Sequence, residues 1–493
     1  MSAPSVSVAD APRAVRPARP AASAPWIRER GMGASVLVAT ISSAFGVILI
    51  AATELIAAIL RADPYVGDSG TLALVLSFLT YLLLGVAVYV AAIVTANTFA
   101  TVVAGRTRRI ALLRLIGASA RSQRAEVARH GLAVGAIGAV LGLVGGTVVA
   151  AAGAELTVQQ LGLDGVVYQL VRPEMLVPPV IVVLTTWAAA WVGSRRVLAV
   201  TPLQALGGSV ETSHEVVARR TGRAVAALLL LVSGTGLLAA GIALGLWDPR
   251  GVIVAFFGGL LSFTGIVLGS TRLMPPLLRL VGRLFGRSAT ARLAAENALR
   301  YPERSSRMSI GVVMGVTLVT MFAVAVESAK VLFAASAGGE VPADFAAILD
   351  TFATVMMGLM AVAAVIAGVG LVNLLTIGVV QRRRELGLLR ALGFSNGQVR
   401  RMVLLEAAHV TITATLTGLV LGIVYGWAGA QSLLGTVPAD PTLPREPTFV
   451  LPAVPLVPVL VILVATAVLT LVAAVVPTRI ATRVAPVEAL AEV

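Results

Sequence analysis

The sequence predicts an all-α polytopic membrane protein of about ten transmembrane helices, arranged as four, two and four, with the two sets of four related by a pseudo-twofold axis along the membrane normal. Three observations predict it. Hydrophobic residues make up 58% of the 493 positions and charged residues 13%, with a mean hydropathy of +0.94, too apolar for a water-soluble domain. One segment occurs twice: RTRRIALLRLIGAS from Arg106 and QRRRELGLLRALGFS from Gln381 align without gaps, placing Arg114 on Arg390 at an offset of 276 (390 − 114). The arginines, which dominate a formal charge of +14, recur in alternate loops, a topology signal that disposes of a nucleic-acid reading.

Taken in order, the first 33 residues hold Ala, Pro, Ser and Arg without the apolar patterning a core needs, and are expected to be a disordered cytoplasmic tail. They are no signal peptide, because the apolar run that follows is long enough to span. Apolar runs then predict spans at 34–60, 72–103, 132–152 and 175–192, forming a first repeat over 34–206. Spans at 225–247 and 252–270 form a hairpin spacer within a linker of 207–307. Spans at 308–326, 352–380, 404–427 and 450–476 form the second repeat, 308–493. Four spans return the chain to its starting side and the hairpin preserves that parity, so the two repeats are parallel. With the N-terminus inside, the outer loops keep only Arg61, Arg172, Arg250, Lys330 and Arg445 as basic residues, and both termini are cytoplasmic.

The loops on the outer side reach only about 20 residues, too few for an independent domain. The stretch 272–307 on the inner side spaces Leu and Val against Arg at helical intervals, which suits a helix on the inner leaflet with arginines at anionic head groups. The absence of cysteine excludes disulfides and thiolate chemistry, and the three histidines lack ligand spacing, so no metal site is expected. No catalytic residue is expected either.

The duplicated segment is an amphipathic helix, in which arginines and Glu385 alternate with Leu386, Leu388, Leu389 and Leu392. Gly393 supplies a left-handed stop, as Gly117 does in the first copy. The apolar side meets either lipid, as a juxtamembrane anchor, or a partner, and recurrence at the same place in both repeats favours the partner. Asn97 and Asn373 lie at equivalent places in spans two and eight, bonded either to each other across the pseudo-axis or locally. Glycines at 138, 142 and 146, and at 418, 422 and 426, have the spacing of close helix packing. Glu54 and Glu327 lie near the outer ends of the first helices, 273 positions apart (327 − 54), either on a substrate path or snorkelling to head groups.

The doubled R-x-L-G-L-L-R-A-L-G-x-S phrase, the Asn-bearing helix before it, the Gly-rich span after it and the terminal P-x-x-A-L resemble the FtsX-like, or MacB-type, permease subunits of ABC transporters. The resemblance covers 72–206 and 352–490, with Arg109 standing where the second copy has Glu385. It implies a permease driven by a separate cytoplasmic ABC ATPase in two copies, with ATP and Mg bound on that partner and none in this chain. It also implies coupling through Arg109, Leu113, Arg114 and Gly117 in one repeat and Glu385, Leu389, Arg390 and Gly393 in the other, in a bacterial cytoplasmic membrane. The residues agree on the separate ATPase: a phosphate-binding loop needs a lysine, and the only one here is Lys330, on the outer side. The expected activity is export or extraction of an amphipathic substrate, a lipid-linked molecule, a peptide or a hydrophobic antibiotic. The alternative is a force transmitter that activates an extracytoplasmic partner without transport.

Overall fold

A computed structural model describes residues 32–61, 70–105, 112–113, 119–161, 169, 171–199, 221–284, 288–300, 302–336, 383–436 and 446–483. Among them there are helices and no strand: α1 (Met32–Arg61), α2 (Gly70–Gly105), α3 (Ala120–Leu161), a 3-10 turn (Pro173–Leu176), α4 (Val177–Ala199), α5 (Thr221–Gly245), α6 (Gly251–Gly282), α7 (Ala289–Arg300), α8 (Pro302–Ser336), α9 (Arg383–Ala391), α10 (Asn396–Leu434) and α11 (Leu456–Arg483). In hydrocarbon every backbone group must be satisfied within its own segment, and an apolar helix does this. Eight of these helices are long and apolar enough to cross a membrane, and α11 carries a shorter apolar stretch, Leu456–Val472. The expected span at 352–380 lies outside the described residues.

Several elements depart from their expected bounds. The last helix begins at Leu456 and not at 450, because residues 446–455 are irregular, with prolines at 447, 452 and 455, which lack the N–H a helix requires. Helix α6 continues past its apolar run to Gly282, and a separate α7 follows. The expected inner-leaflet helix over 272–307 is therefore the tail of α6, then α7, then the start of α8. Helix α7 buries Ala291, Ala294 and Ala298, and it packs on α10. Its apolar face is thus satisfied by protein and not by lipid.

Helices α1, α2, α3 and α4 pack as one bundle, and α8, α10 and α11 pack together. Both groups are built on the same close crossing. A Cβ on Gly142 of α3 would lie 2.5 Å from both the Thr40 carbonyl oxygen and the Ser43 Cβ of α1, and one on Gly418 of α10 would lie 2.9 and 2.8 Å from the Val313 oxygen and Val316 Cβ of α8. The third helices correspond at 276 positions (418 − 142), whereas the first helices correspond at 273 (313 − 40, 316 − 43). Glu54 and Glu327 share that second offset, so three residues are inserted between the first and third helices of the second copy. Glycine is required here because the backbones touch.

The two copies share one core. Phe45 and Leu49 of α1, Leu83 and Ala87 of α2, Met274 and Leu278 of α6, Val312 and Val316 of α8, and Ala407 and Val410 of α10 form a continuous buried cluster. The α5–α6 hairpin is part of this body. Tyr89 of α2 bonds Thr264 of α6 at 2.7 Å, and Tyr425 of α10 bonds Ser262, two residues earlier on α6, at 2.9 Å. Helix α6 thereby holds a helix of each copy through adjacent hydroxyls.

Candidate functional site

Helix α9 is held by its own chain on one side and open on the other. Leu386 is buried in a small core with Ala294 of α7 and Val399, Met402 and Val403 of α10, and Leu389 packs against the same core. Glu385 is exposed, and so are Leu388 and Leu392, at 52% and 72%. The helix stops where Gly393 takes φ +100°, the only positive φ among the described residues. Phe394 N–H donates to the Leu389 carbonyl at 3.0 Å and Gly393 N–H to that of Arg390 at 3.1 Å, the paired bonds of a Schellman cap. Ser395 then caps α10: its hydroxyl accepts from Gln398 N–H at 3.2 Å, while the Gln398 side chain accepts from Ser395 N–H at 2.9 Å. Two caps around a single glycine set the angle between α9 and α10.

The first copy repeats this arrangement where it is described. Ser119 accepts from Ser122 N–H at 3.1 Å, at the position equivalent to Ser395. Leu112 is exposed and Leu113 half-buried, matching Leu388 and Leu389. Arg109, Arg114 and Gly117 lie outside the described residues. Of the two leucines in each copy, the one singled out from sequence, Leu113 or Leu389, is the more enclosed. Its neighbour presents the apolar surface.

Helix α10 is longer than a bilayer's hydrocarbon requires. Helix α10 has 39 residues, about 58 Å at 1.5 Å per residue, against a hydrocarbon thickness of about 30 Å. Its apolar run begins at Leu404, and Arg400 and Arg401 before it are exposed, so Asn396–Val403, on which α9 packs, extends up to about 12 Å beyond that run.

Asn97 reaches from the first copy to the second, its amide donating to the Arg307 carbonyl at the root of α8 at 3.1 Å. Asn373 lies outside the described residues. At the opposite end of the helices Glu54 sits between two arginines, Arg61 at 2.9 Å and Arg172 at 2.5 Å, with its side chain only 11% exposed. Glu327 differs. Its side chain is 41% exposed and pairs with Lys330 one turn on, at 3.7 Å. Arg172 precedes α4, so the first ion-pair group ties the start of the fourth helix to the end of the first. In the second copy the irregular segment before α11 makes the same closure with neutral groups. Gln431 donates to the Thr448 carbonyl at 2.7 Å and accepts from Val450 N–H at 3.1 Å, and Trp427 donates to the Val450 carbonyl at 2.8 Å. Ala453 N–H donates to the Ser328 hydroxyl of α8 at 3.3 Å.

Three of these contacts were not read from sequence. Buried His409 bonds the Leu278 carbonyl at 2.7 Å and locks the α6 tail to α10. The Tyr89–Thr264 and Tyr425–Ser262 bonds are of the same kind. The available signal was a polar side chain inside an apolar run, which in lipid implies a partner on another helix.

Long apolar helices, a duplicated close crossing and a capped amphipathic helix projecting at one end define a polytopic membrane protein built from two copies of a permease-type helical unit. The profile of the FtsX-like permease C-terminal family matches twice, at residues 81–202 and 357–486, and its two starting points differ by the same 276 positions (357 − 81). The chain belongs to the FtsX-like permease family. Among curated proteins it is 27% identical over 100 residues to the uncharacterized ABC transporter permease YknZ of Bacillus subtilis (strain 168), covering 20% of this chain and 25% of that one. It is 33% identical over 66 residues to the ABC transporter permease YtrF of the same organism, covering 13% of this chain and 15% of that one. The chain thus matches a quarter or less of either relative's length.

Proposed function

We propose that this chain is the membrane permease subunit of an ATP-driven ABC transporter, four plus two plus four helices in a bacterial cytoplasmic membrane with both termini inside. The observation that carries the proposal is α9, a helix closed by a Schellman cap at the end of α10 that extends past its apolar run, with Leu388 and Leu392 exposed beside Glu385. Exposed leucines in water mark a protein-binding surface, and the helix lies within the second family match. A cytoplasmic ATPase, one copy per repeat, binds ATP and Mg and pushes on α9 and on its counterpart around Arg109 to Gly117. The push tilts the two helical units about the Asn97–Arg307 bond and the α6 wedge.

The cargo is amphipathic and leaves sideways from the outer leaflet, where Glu54 and Glu327 stand near the ends of equivalent helices. Co-purification of the tagged full chain in mild detergent, followed by mass spectrometry of co-purifying protein and bound small molecules, tests this. An ATPase with a phosphate-binding loop and an amphipathic molecule are expected. Recovery of a wall-directed outer protein, with nucleotide turnover but no bound small molecule, would favour force transmission without transport.

A further inference from the structure

The second copy carries more apparatus at its projecting end than a single coupling helix. The tail of α6 runs beyond the apolar part of its span, with Arg272, Arg279 and Arg283 exposed. It is fixed against the second copy: Leu278 is fully buried and its carbonyl bonds His409, and a Cβ on Gly282 would lie 3.2 Å from the His409 ring and 3.7 Å from Ala295 of α7. Helix α7 continues the layer and shares the Leu386 core with α9. Tail, α7 and α9 are therefore one shelf around the root of α10.

The outward side of α7 does not suit a membrane. Helix α7 spends its apolar face on α10 and turns Arg292, Glu296 and Arg300 outward, charges of both signs one turn apart. An interfacial helix needs the reverse arrangement, an apolar face free for lipid. The exposed apolar residues are Leu280, at 62%, and Leu284, at 81%, one turn apart at the end of the α6 tail, and Leu388 and Leu392 on α9. Separated apolar anchors with a mixed-charge border have the anatomy of a protein interface.

We infer that the ATPase copy serving the second repeat grips the whole shelf, with the α6 tail at Leu284 and α7 at Arg292 forming a second contact beside α9. The inference rests on the proposed ATPase partnership and extends it to surfaces outside both family matches, since 81–202 and 357–486 exclude α6 and α7. The occupant is a water-soluble protein surface with an apolar recess for Leu284 and an acidic patch for Arg292. Because the shelf is built from the linker, the two ATPase copies meet unequal surfaces.

The test uses the full chain in nanodiscs, titrated with the ATPase that co-purifies with it after that protein has been identified, expressed and purified separately. Three variants are compared: Leu388→Asp on α9, Leu284→Asp and Arg292→Glu on the shelf. All three sites are exposed, and unchanged thermal unfolding confirms that each variant folds. Leu388→Asp weakens ATPase binding about tenfold or more if the α9 partnership holds, and Leu284→Asp and Arg292→Glu each weaken it about three- to tenfold if the shelf is gripped. Loss with Leu388→Asp alone, the shelf variants staying within twofold, overturns the shelf and leaves the partnership standing. No loss with any of the three overturns the partnership itself. A loss that vanishes when anionic lipid is left out of the nanodisc makes the shelf a lipid contact and overturns the inference as well.

Discussion

Leu388 and Leu389 are neighbours on one short helix, yet aspartate at each should have opposite consequences. Leu389 packs against the core of Leu386, Val399, Met402 and Val403. Removing that side chain forfeits about 1–2 kcal/mol of apolar burial, and the carboxylate left against the core adds about 1–3 kcal/mol of desolvation. A loss of about 2–5 kcal/mol falls on the joint between α9 and α10. Leu388, at 52% exposure, should change stability by no more than about 0.5 kcal/mol. Fluorescence-detected thermal unfolding in mild detergent reads the first effect, and ATPase stimulation by the purified chain reads the second. Leu389→Asp should lower the unfolding temperature. Leu388→Asp should leave it alone and abolish stimulation. The matching first-copy pair, Leu113→Asp and Leu112→Asp, should divide the same way. If Leu388→Asp is as destabilising as Leu389→Asp, the assignment of inner and outer faces is wrong.

Gly422→Ala should cost about 1–3 kcal/mol, because its Cβ would meet the Thr317 carbonyl oxygen at 2.8 Å, whereas Gly429→Ala, which meets nothing within 4 Å, should be neutral or slightly stabilising in the same unfolding assay. Glu54→Gln should lower stability by about 1 kcal/mol, since both arginines are partly exposed and screened, and the effect should shrink with salt and disappear in an Arg61→Ala, Arg172→Ala background; Glu327→Gln should do nothing measurable to stability. Glu385→Ala should reduce substrate-stimulated ATP turnover more than Arg109→Ala, because identical ATPase copies meet unlike charges at these equivalent positions and Glu385 lies in the copy with the closer family pattern; equal turnover in both variants would contradict this.

The parts legible in the sequence are those that depend on the solvent and on repetition. A run of apolar residues from Leu404 spans because lipid leaves the backbone no other choice, and glycines repeated at 142 and 418 mark backbones in contact whatever their neighbours. Gly393 was also readable, since a glycine after an amphipathic run is where a chain can turn left-handed. Facing was less legible. Leu386, Leu388, Leu389 and Leu392 cover more than one stripe of α9, and only the position of α7 and α10 decides that the first and third turn inward. Asn97 announced a partner without naming it, because a backbone carbonyl at Arg307 leaves no trace in composition. The packing of the linker helix left no signal for the same reason: alanines at 291, 294 and 298 look like helix filler until α10 lies against them. The irregular segment before α11 is readable in its prolines, but hydropathy alone carries the span through them.

On this proposal the chain moves on energy released by another protein. The most direct measurement is ATP hydrolysis in nanodiscs by the purified full chain alone, by its co-purifying ATPase alone, and by both together, with the mass of the complex determined in parallel. No hydrolysis by the chain alone is expected, with a low rate for the ATPase alone, a several-fold higher rate for the mixture, and a complex of one chain with two ATPase subunits. Hydrolysis by the chain free of contaminating ATPase, or failure of the two proteins to form a complex, would contradict it.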